Sequence, residues 1–321
     1  RVDMDALPVE ERTGLDYASR QEGLMHACGH DLHTCIGLGV ARLLAEEQSE
    51  VNAGVRLLFQ PAEEIAEGAR WMRQDGATDG LNALFGVHVF PELPVGTIGV
   101  RTGALTAAAG ELEISIIGEG GHGAKPHQSI DAIWIASKIV TGLQESISRC
   151  LDALHPVVIS FGRIEGGKAF NVIADQVRLL GTVRCLDDSL HETLPNWIDE
   201  RVQSIAKSFG AKANVNYRCI TPIVYNDLEL TTLLQGCAVS LLGKENVLWL
   251  DRPSLGAEDF AELLQDVPGT MFRLGVAGES GCAPLHNGQF SLDERSLVVG
   301  IEVLTKTILD WMQKNSNSGC L

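Results

Sequence analysis

The sequence predicts an α/β protein of two domains, a larger α/β sheet domain carrying an inserted ferredoxin-like module of β-α-β-β-α-β order. Three observations lead there. Over the first hundred residues, short apolar runs of strand character alternate with an amphipathic helical stretch. From about Gly110 to Cys219 the order becomes strand, helix, strand, strand, helix, strand. After Pro222 the α/β alternation returns and runs to Trp311. A chain of 321 residues has room for two domains and can bury a sizeable core. The expected division is residues 1–104 with 219–321 in one domain and 105–218 in the insertion.

Element by element, Val55–Phe59 and Leu84–Phe90 are β-rich runs bounded by Gly, Pro or Asn, and Ile36–Glu47 has a helical pattern ending in charge. Glu111–Gly118 alternates Leu112, Ile114 and Ile116 with polar neighbours, as a strand with one buried face does. It is expected at a sheet edge, where a strand can pair with its copy in a second subunit. Ser129 is the expected cap of a helix whose Ile133, Ala136, Val140, Leu143 and Ile147 follow i, i+3/i+4 spacing. Strands at Val157–Ile164 and Val177–Cys185, a helix at Leu194–Phe209 and a strand at Ala213–Cys219 complete the module, and a polar tail follows at Asn315–Gly319.

Composition narrows the function classes. Hydrophobic residues make up 45% and charged residues 21%, as in an ordinary globular enzyme. The net charge of −17 argues against nucleic-acid or anionic-membrane partners, which need clustered Lys and Arg. No apolar run reaches the roughly 18 residues of a membrane-spanning helix. Eight cysteines at irregular intervals, with no C-x-x-C pair, fit free thiols and a cytoplasmic setting.

Chemistry concentrates in four places. His26, Cys28, His30 and His33 put three imidazoles and a thiol within nine residues. Cys28 and His30, at i and i+2 around Gly29, can reach one ion, although a lone Cys also serves in packing or as a redox thiol. Glu63–Glu64 follows the run ending at Phe59. A site at the carboxyl end of a strand and a solvated helix start both fit that pair. His88 near the end of a strand and His286 in a loop are, taken alone, as compatible with structural roles as with ligation. All four places lie outside the ferredoxin-like stretch.

These segments carry a resemblance. Asp3–Pro8, His26–Asp31, Gln60–Glu64, Gly86–His88, Gly120–His127, Phe170–Ile173, Gly256–Phe260 and Leu285–Asn287 follow in order the motifs of the aminoacylase-like dinuclear metallopeptidases, amidohydrolase branch, and span nearly the whole chain. That branch includes N-acyl-L-amino-acid amidohydrolases, hippurate hydrolases and indole-acetic-acid–amino-acid hydrolases.

The resemblance implies two divalent ions (Zn, Mn, Co or Ni) held by Cys28, His30, Glu64, His88 and His286, with Glu63 as general base. It implies that Asp5 supports the ligands from behind, and that the inserted module is a lid whose His122 and Asn171 bind or polarise the substrate, in some relatives across a dimer interface. The implied reaction converts a small-molecule N-acyl amino acid to a carboxylic acid and a free amino acid, Glu63 taking the proton of the attacking water and returning it to the departing amine. A homodimer through the lid is expected. Asp3 stands where related peptidases carry a ligand histidine, and Lys125 where many relatives carry an uncharged residue. The stretch that precedes Asp3 in the family is absent, which leaves a targeting segment open. A dipeptidase or aminopeptidase of the same superfamily is the runner-up. A non-catalytic metal-binding protein has no need of Glu63, and a thiol-redox protein needs a resolving cysteine nearer Cys28 than Cys35.

Overall fold

The computed structural model describes residues 1–47, 51 and 53–316. Cys320 and the last part of the polar tail, residues 317–319, lie outside the described residues. The chain divides into two compact units. One comprises Arg1–Leu105, Val224–Pro253 and the residues from Glu258 onward; the other comprises Thr106–Ile223 and Ser254–Ala257.

The first unit is built on a mixed sheet in the order Val247–Trp249, Ile98–Val100, Gly269–Ala277, Leu84–Pro94. The outer pairs run parallel and the central pair antiparallel. Eight of the nine residues of Gly269–Ala277 are buried, as a strand covered on both faces requires. One face, with Val87, Val89, Phe272, Leu274 and Val276, packs against Ile36 and Val40 of helix His30–Glu46 and Val303 and Leu304 of helix Ser296–Ser316. Each such fully buried side chain contributes roughly 1.5–3 kcal/mol. The other face carries Leu84 and Met271 against Phe260, Ala261 and Leu263. The run expected as a strand at Val55–Phe59 is paired only at Phe59–Gln60, in parallel with Val2–Asp3. Strand geometry needs a ladder partner, and Val2–Asp3 supplies two residues of register.

The second unit is a four-stranded antiparallel sheet in the order Lys212–Thr221, Ala108–Ile117, Gln176–Cys185, Val157–Gly166. By chain position that order is fourth, first, third, second. Helices Ala132–Cys150 and Asp188–Ser208 cover a core of Leu112, Ile114, Ile116, Ile139, Leu179 and Ile198. The alternation of Leu112, Ile114 and Ile116 is a one-face burial pattern, with all three at 0% exposure.

Three local expectations are corrected. The strand expected at a sheet edge is interior, with Leu112 opposite both Gly181 and Tyr217; the edges are Val157–Gly166 and Lys212–Thr221. Asp131 rather than Ser129 caps the first helix, its carboxylate accepting the Ile133 and Trp134 N–H groups. The buried stripe turns accordingly toward Ile135 and Ile139, and Ile133 is exposed. The second helix begins at Asp188 rather than Leu194 and runs through Pro195, because Asp187 caps it by accepting the Leu190 N–H at 2.8 Å. The described residues hold seven free cysteines, and no described helix is long and apolar enough to cross a membrane.

Candidate metal centre

Cys28 and His30 flank Gly29, whose φ of 75° lies in the left-handed region and starts helix His30–Glu46. A Cβ at Gly29 would approach Val89 Cγ2 to 2.8 Å, so this turn both bends and fits only as glycine. Glu63 and Glu64 sit in a tight turn after Phe59–Gln60, framed by Ala62 and Ala66 with φ of 54° and 56°. His286 has φ 64°, and its N–H bonds Ala27 O at 2.8 Å, tying its loop to the Cys28 segment. Left-handed non-glycine residues cost of order 1–3 kcal/mol each and concentrate where a site over-determines its backbone. Here three fall at or beside the expected ligands. His88 stands on strand Leu84–Pro94.

These elements bring six side chains together. Cys28 Sγ lies 3.7 Å from His88 Nε2. His30 Nε2 lies 3.9 Å from both Glu63 Oε2 and Glu64 Oε1, and His286 Nε2 lies 3.4 Å from Glu64 Oε2. Ligand atoms of Cys28, His30 and His88 fall within 4.8 Å of one another, as do those of Cys28, Glu64 and His286. His286 is 53% exposed while Cys28, His30 and His88 are buried, so the cluster is open on the His286 side.

Partners on the far ring atoms orient the imidazoles. His30 Nδ1 faces two acceptors of Asp5, its carbonyl at 3.1 Å and Oδ1 at 3.2 Å, and His88 Nδ1 faces Val89 O at 2.8 Å. An acceptor at Nδ1 puts the proton there and leaves Nε2 as the ligating atom. Asp5 also accepts the Glu64 N–H at 3.1 Å. Burial opposes its charge, but these hydrogen bonds, His30's first, hold its carboxyl below the ordinary aspartate value.

The donor set fits a cation. His30 Nε2 and Glu64 Oε1 are buried without a hydrogen-bond partner. Two acceptor atoms facing each other in a buried place need a proton or a positive ion between them. Burial, reinforced by Glu64 and Glu63, pushes the Cys28 thiol far up from its ordinary value, so only a nearby cation would make it a thiolate. Burial, with Glu258 second, raises Glu63 well above the ordinary glutamate range. Burial, then His33 and Arg273, holds His88 neutral.

The remaining histidines of the motif do other work. His33 Nδ1 bonds Asp3 Oδ1 at 2.5 Å, and its Nε2 accepts the Val89 N–H at 2.9 Å. Both nitrogens are therefore committed, behind His30 and His88. His26 Nδ1 bonds Asp5 O at 3.0 Å. Sequence reasoning left Asp3 without a role and missed its neighbours. The wholly buried Arg1 guanidinium ties Asp3, Glu258 and Asp259 together at 2.9, 3.0 and 3.0 Å, and Glu258 and Asp259 lie beside Glu63. The segment Gly256–Phe260 was the one available signal.

In the second unit, strand Gly121–His122 pairs with Val172–Ile173, placing His122 opposite Val172, and Asn171 O accepts the Gly123 N–H at 2.9 Å. His122 and Asn171 are thus exposed neighbours across this short strand pairing. His122 Nδ1 accepts the Ala124 N–H at 3.1 Å, and among the described residues Nε2–H has no acceptor. Lys125 is also exposed.

Comparison with known proteins follows the same lines. The model of peptidase family M20/M25/M40 matches residues 1–310. A probable hydrolase of Synechocystis is 50% identical over 315 residues, 98% of this chain and 80% of that protein. An N-acetylcysteine deacetylase of Bacillus subtilis is 41% identical over 301 residues, covering 93% and 77%. A thermostable carboxypeptidase of Saccharolobus solfataricus is 37% identical over 305 residues, covering 94% and 77%. Among solved structures, a dinuclear metal-binding M20 peptidase of Bacillus subtilis superimposes with a TM-score of 0.84 at 35% identity, covering 97% and 80%. A putative aminohydrolase of methicillin-resistant Staphylococcus aureus gives 0.91 at 34% identity, with the same coverage. The chain belongs to peptidase family M20/M25/M40 and is a metal-dependent amidohydrolase.

Proposed function

We propose that the chain hydrolyses the amide bond of small N-acyl amino acids of acetyl, benzoyl or aryl-acetyl type, giving a carboxylic acid and a free amino acid. The observation that carries this reading is the convergence of Cys28, His30, Glu64, His88 and His286 on a place bordered by the buried, proton-seeking carboxyl of Glu63. In our reading those five residues hold two divalent ions. When bound, the ions supply Lewis acidity and make the attacking water easier to deprotonate. A thiolate and three imidazoles favour Zn, Co or Ni by softness, with Mn open to availability. Glu63 takes the water's proton, for which its raised proton affinity suits it, and returns it to the departing nitrogen. Asp5 keeps His30 in its ligating tautomer.

The second unit serves in this reading as a ferredoxin-like lid over residues 105–218, which the fourth-first-third-second strand order supports. His122 and Asn171 are substrate-binding residues in this reading, as neighbours across the pairing of Gly121–His122 with Val172–Ile173. A lid-mediated homodimer would use the edge strand Val157–Gly166, where Ile164 is 62% exposed, rather than the interior strand. The free thiols suit a cytoplasmic setting.

A peptidase reading, with a short peptide in place of the N-acyl amino acid, is favoured by the likeness to a carboxypeptidase. Metal-loaded protein assayed on N-acetyl, N-benzoyl and indole-acetyl amino acids beside free dipeptides separates the two. Glu63→Gln should keep its metal and lose roughly 10²-fold or more in turnover. Equal turnover at matched metal content would remove Glu63 from the reaction.

A further inference from the structure

Two arginines of the first unit are buried beside the candidate metal centre, and their situations differ. Arg1 is ion-paired on three carboxylates at 2.9–3.0 Å. Arg273 is 7% exposed, yet among the described residues its guanidinium has no hydrogen-bond or ion-pair partner. It lies over the Phe90 ring, whose centroid is 5.7 Å from Cζ. A guanidinium carries five N–H donors in a planar fork and stays charged, so burying it unpaired is costly. Its nitrogens are not among the fully buried unpaired atoms, so the fork of this mostly buried side chain still meets accessible space.

Register shows where the fork belongs. Strands Gly269–Ala277 and Leu84–Pro94 are parallel, with Arg273 opposite His88 and Gly275 opposite Phe90. Paired residues of a parallel ladder share a face, so Arg273 rises from the face that presents His88. Met271, two residues back on that face, packs with Phe260, which follows Glu258 and Asp259. Glu258, Cys28 and Glu63 are the acidic side chains that act most on Arg273, and burial holds its pKa down against them. None of the three is within ion-pair distance, and Glu258 is already taken by Arg1 at 3.0 Å. The positive charge is therefore close to the reacting place and still has its donors to give.

We propose that Arg273 anchors the free carboxylate of the substrate's amino-acid half, the ligand whose planar, bidentate geometry matches the fork. This rests on the hydrolase reading, in its N-acyl amino acid or its peptide form, since both substrates carry a carboxylate one carbon from the scissile nitrogen. The anchor selects acids over their neutral carboxamides and acts mainly on binding.

The test compares N-acetyl-L-methionine with N-acetyl-L-methioninamide, by turnover and by calorimetric binding to the metal-loaded protein. Wild type should prefer the acid by about 10–100-fold, the range of a hydrogen bond to a charged group. Arg273→Met should bring the two within about 3-fold, through KM rather than kcat, with metal content unchanged, and Arg273→Lys should restore part of the preference. An unchanged acid-to-amide ratio in Arg273→Met overturns the anchor. So does a wild type that binds acid and amide alike, a result that needs no variant to fold. If wild type turns over neither compound nor any dipeptide, the hydrolase reading fails instead, while the binding arm still decides whether Arg273 recognises a carboxylate.

Discussion

Replacing Gly68 by alanine probes how the carboxylate turn is held. Gly68 opens the short helix Gly68–Gln74, and its N–H bonds Ala62 O at 3.2 Å. A Cβ there would lie 1.6 Å from Pro61 O and 2.7 Å from Pro61 C. Both are backbone atoms, so no rotamer change relieves the overlap. Ordinary contact needs Pro61 to move by about 1.5–2 Å, and Ala62, Glu63 and Glu64 follow it in the chain. Overpacking typically costs about 1–3 kcal/mol, and a backbone obstacle places this case at the upper end. Helix propensity returns about 1 kcal/mol for Gly→Ala, leaving a net loss of about 2 kcal/mol. A displacement of about 1 Å in a positioned group costs on the order of 10²-fold in activity. Urea unfolding of the metal-free protein and Co²⁺ titration measure the two effects. Gly236→Ala is the control, since it lies within helix Leu228–Leu242 with nothing within 4 Å of the added atom, and should stabilise by roughly 0.5–1 kcal/mol. A Gly68→Ala protein as stable as the parent, with unchanged metal affinity, would refute the claim that this contact sets the Glu63–Glu64 turn.

Other outcomes follow from the same geometry. Cys28 should resist alkylation in the metal-loaded protein and react after chelation, while the exposed Cys35 reacts in both states; equal Cys28 rates with and without metal would end its ligand role. His33→Phe removes the Val89 acceptor and the Asp3 donor together and should weaken metal binding about 10–100-fold, with His33→Gln intermediate; unchanged affinity would make His33 a mere space-filler. Asp187→Ala should cost about 1 kcal/mol at neutral pH through loss of the helix cap. Hydrogen bonds from Ser189 and the Leu190 amide hold the Asp187 carboxyl below its ordinary value. Its stabilisation is therefore present above the unfolded-state pKa of about 3.9 and fades as pH falls through the lower folded value. Wild type and variant should converge in acid; a gap that persists below that range would contradict the cap.

Much of this molecule is written in short-range pattern. The two-residue period of Leu112, Ile114 and Ile116 specifies a strand with one buried face, because side chains alternate across a pleated backbone whatever lies beyond it. The Cys28-Gly29-His30 spacing identifies two neighbouring ligand candidates, since glycine supplies the left-handed turn that both need. What pattern does not contain is the partner. Whether Ala108–Ile117 lies inside a sheet or at its edge depends on Lys212–Thr221, some hundred residues away. His33 stands in sequence within the same cluster of imidazoles as His30. Only the folded chain gives its nitrogens to Asp3 and Val89, and only the folded chain leaves those of His30 and His88 facing Glu64 and Cys28. Arg1 and Arg273 are the same residue in the sequence, one neutralised by carboxylates from both ends of the chain and the other left with its donors unspent. Charge state and hydrogen-bonding capacity in a buried place are set by burial and by atoms a few ångströms off, and those neighbours are assembled by tertiary packing rather than by sequence proximity.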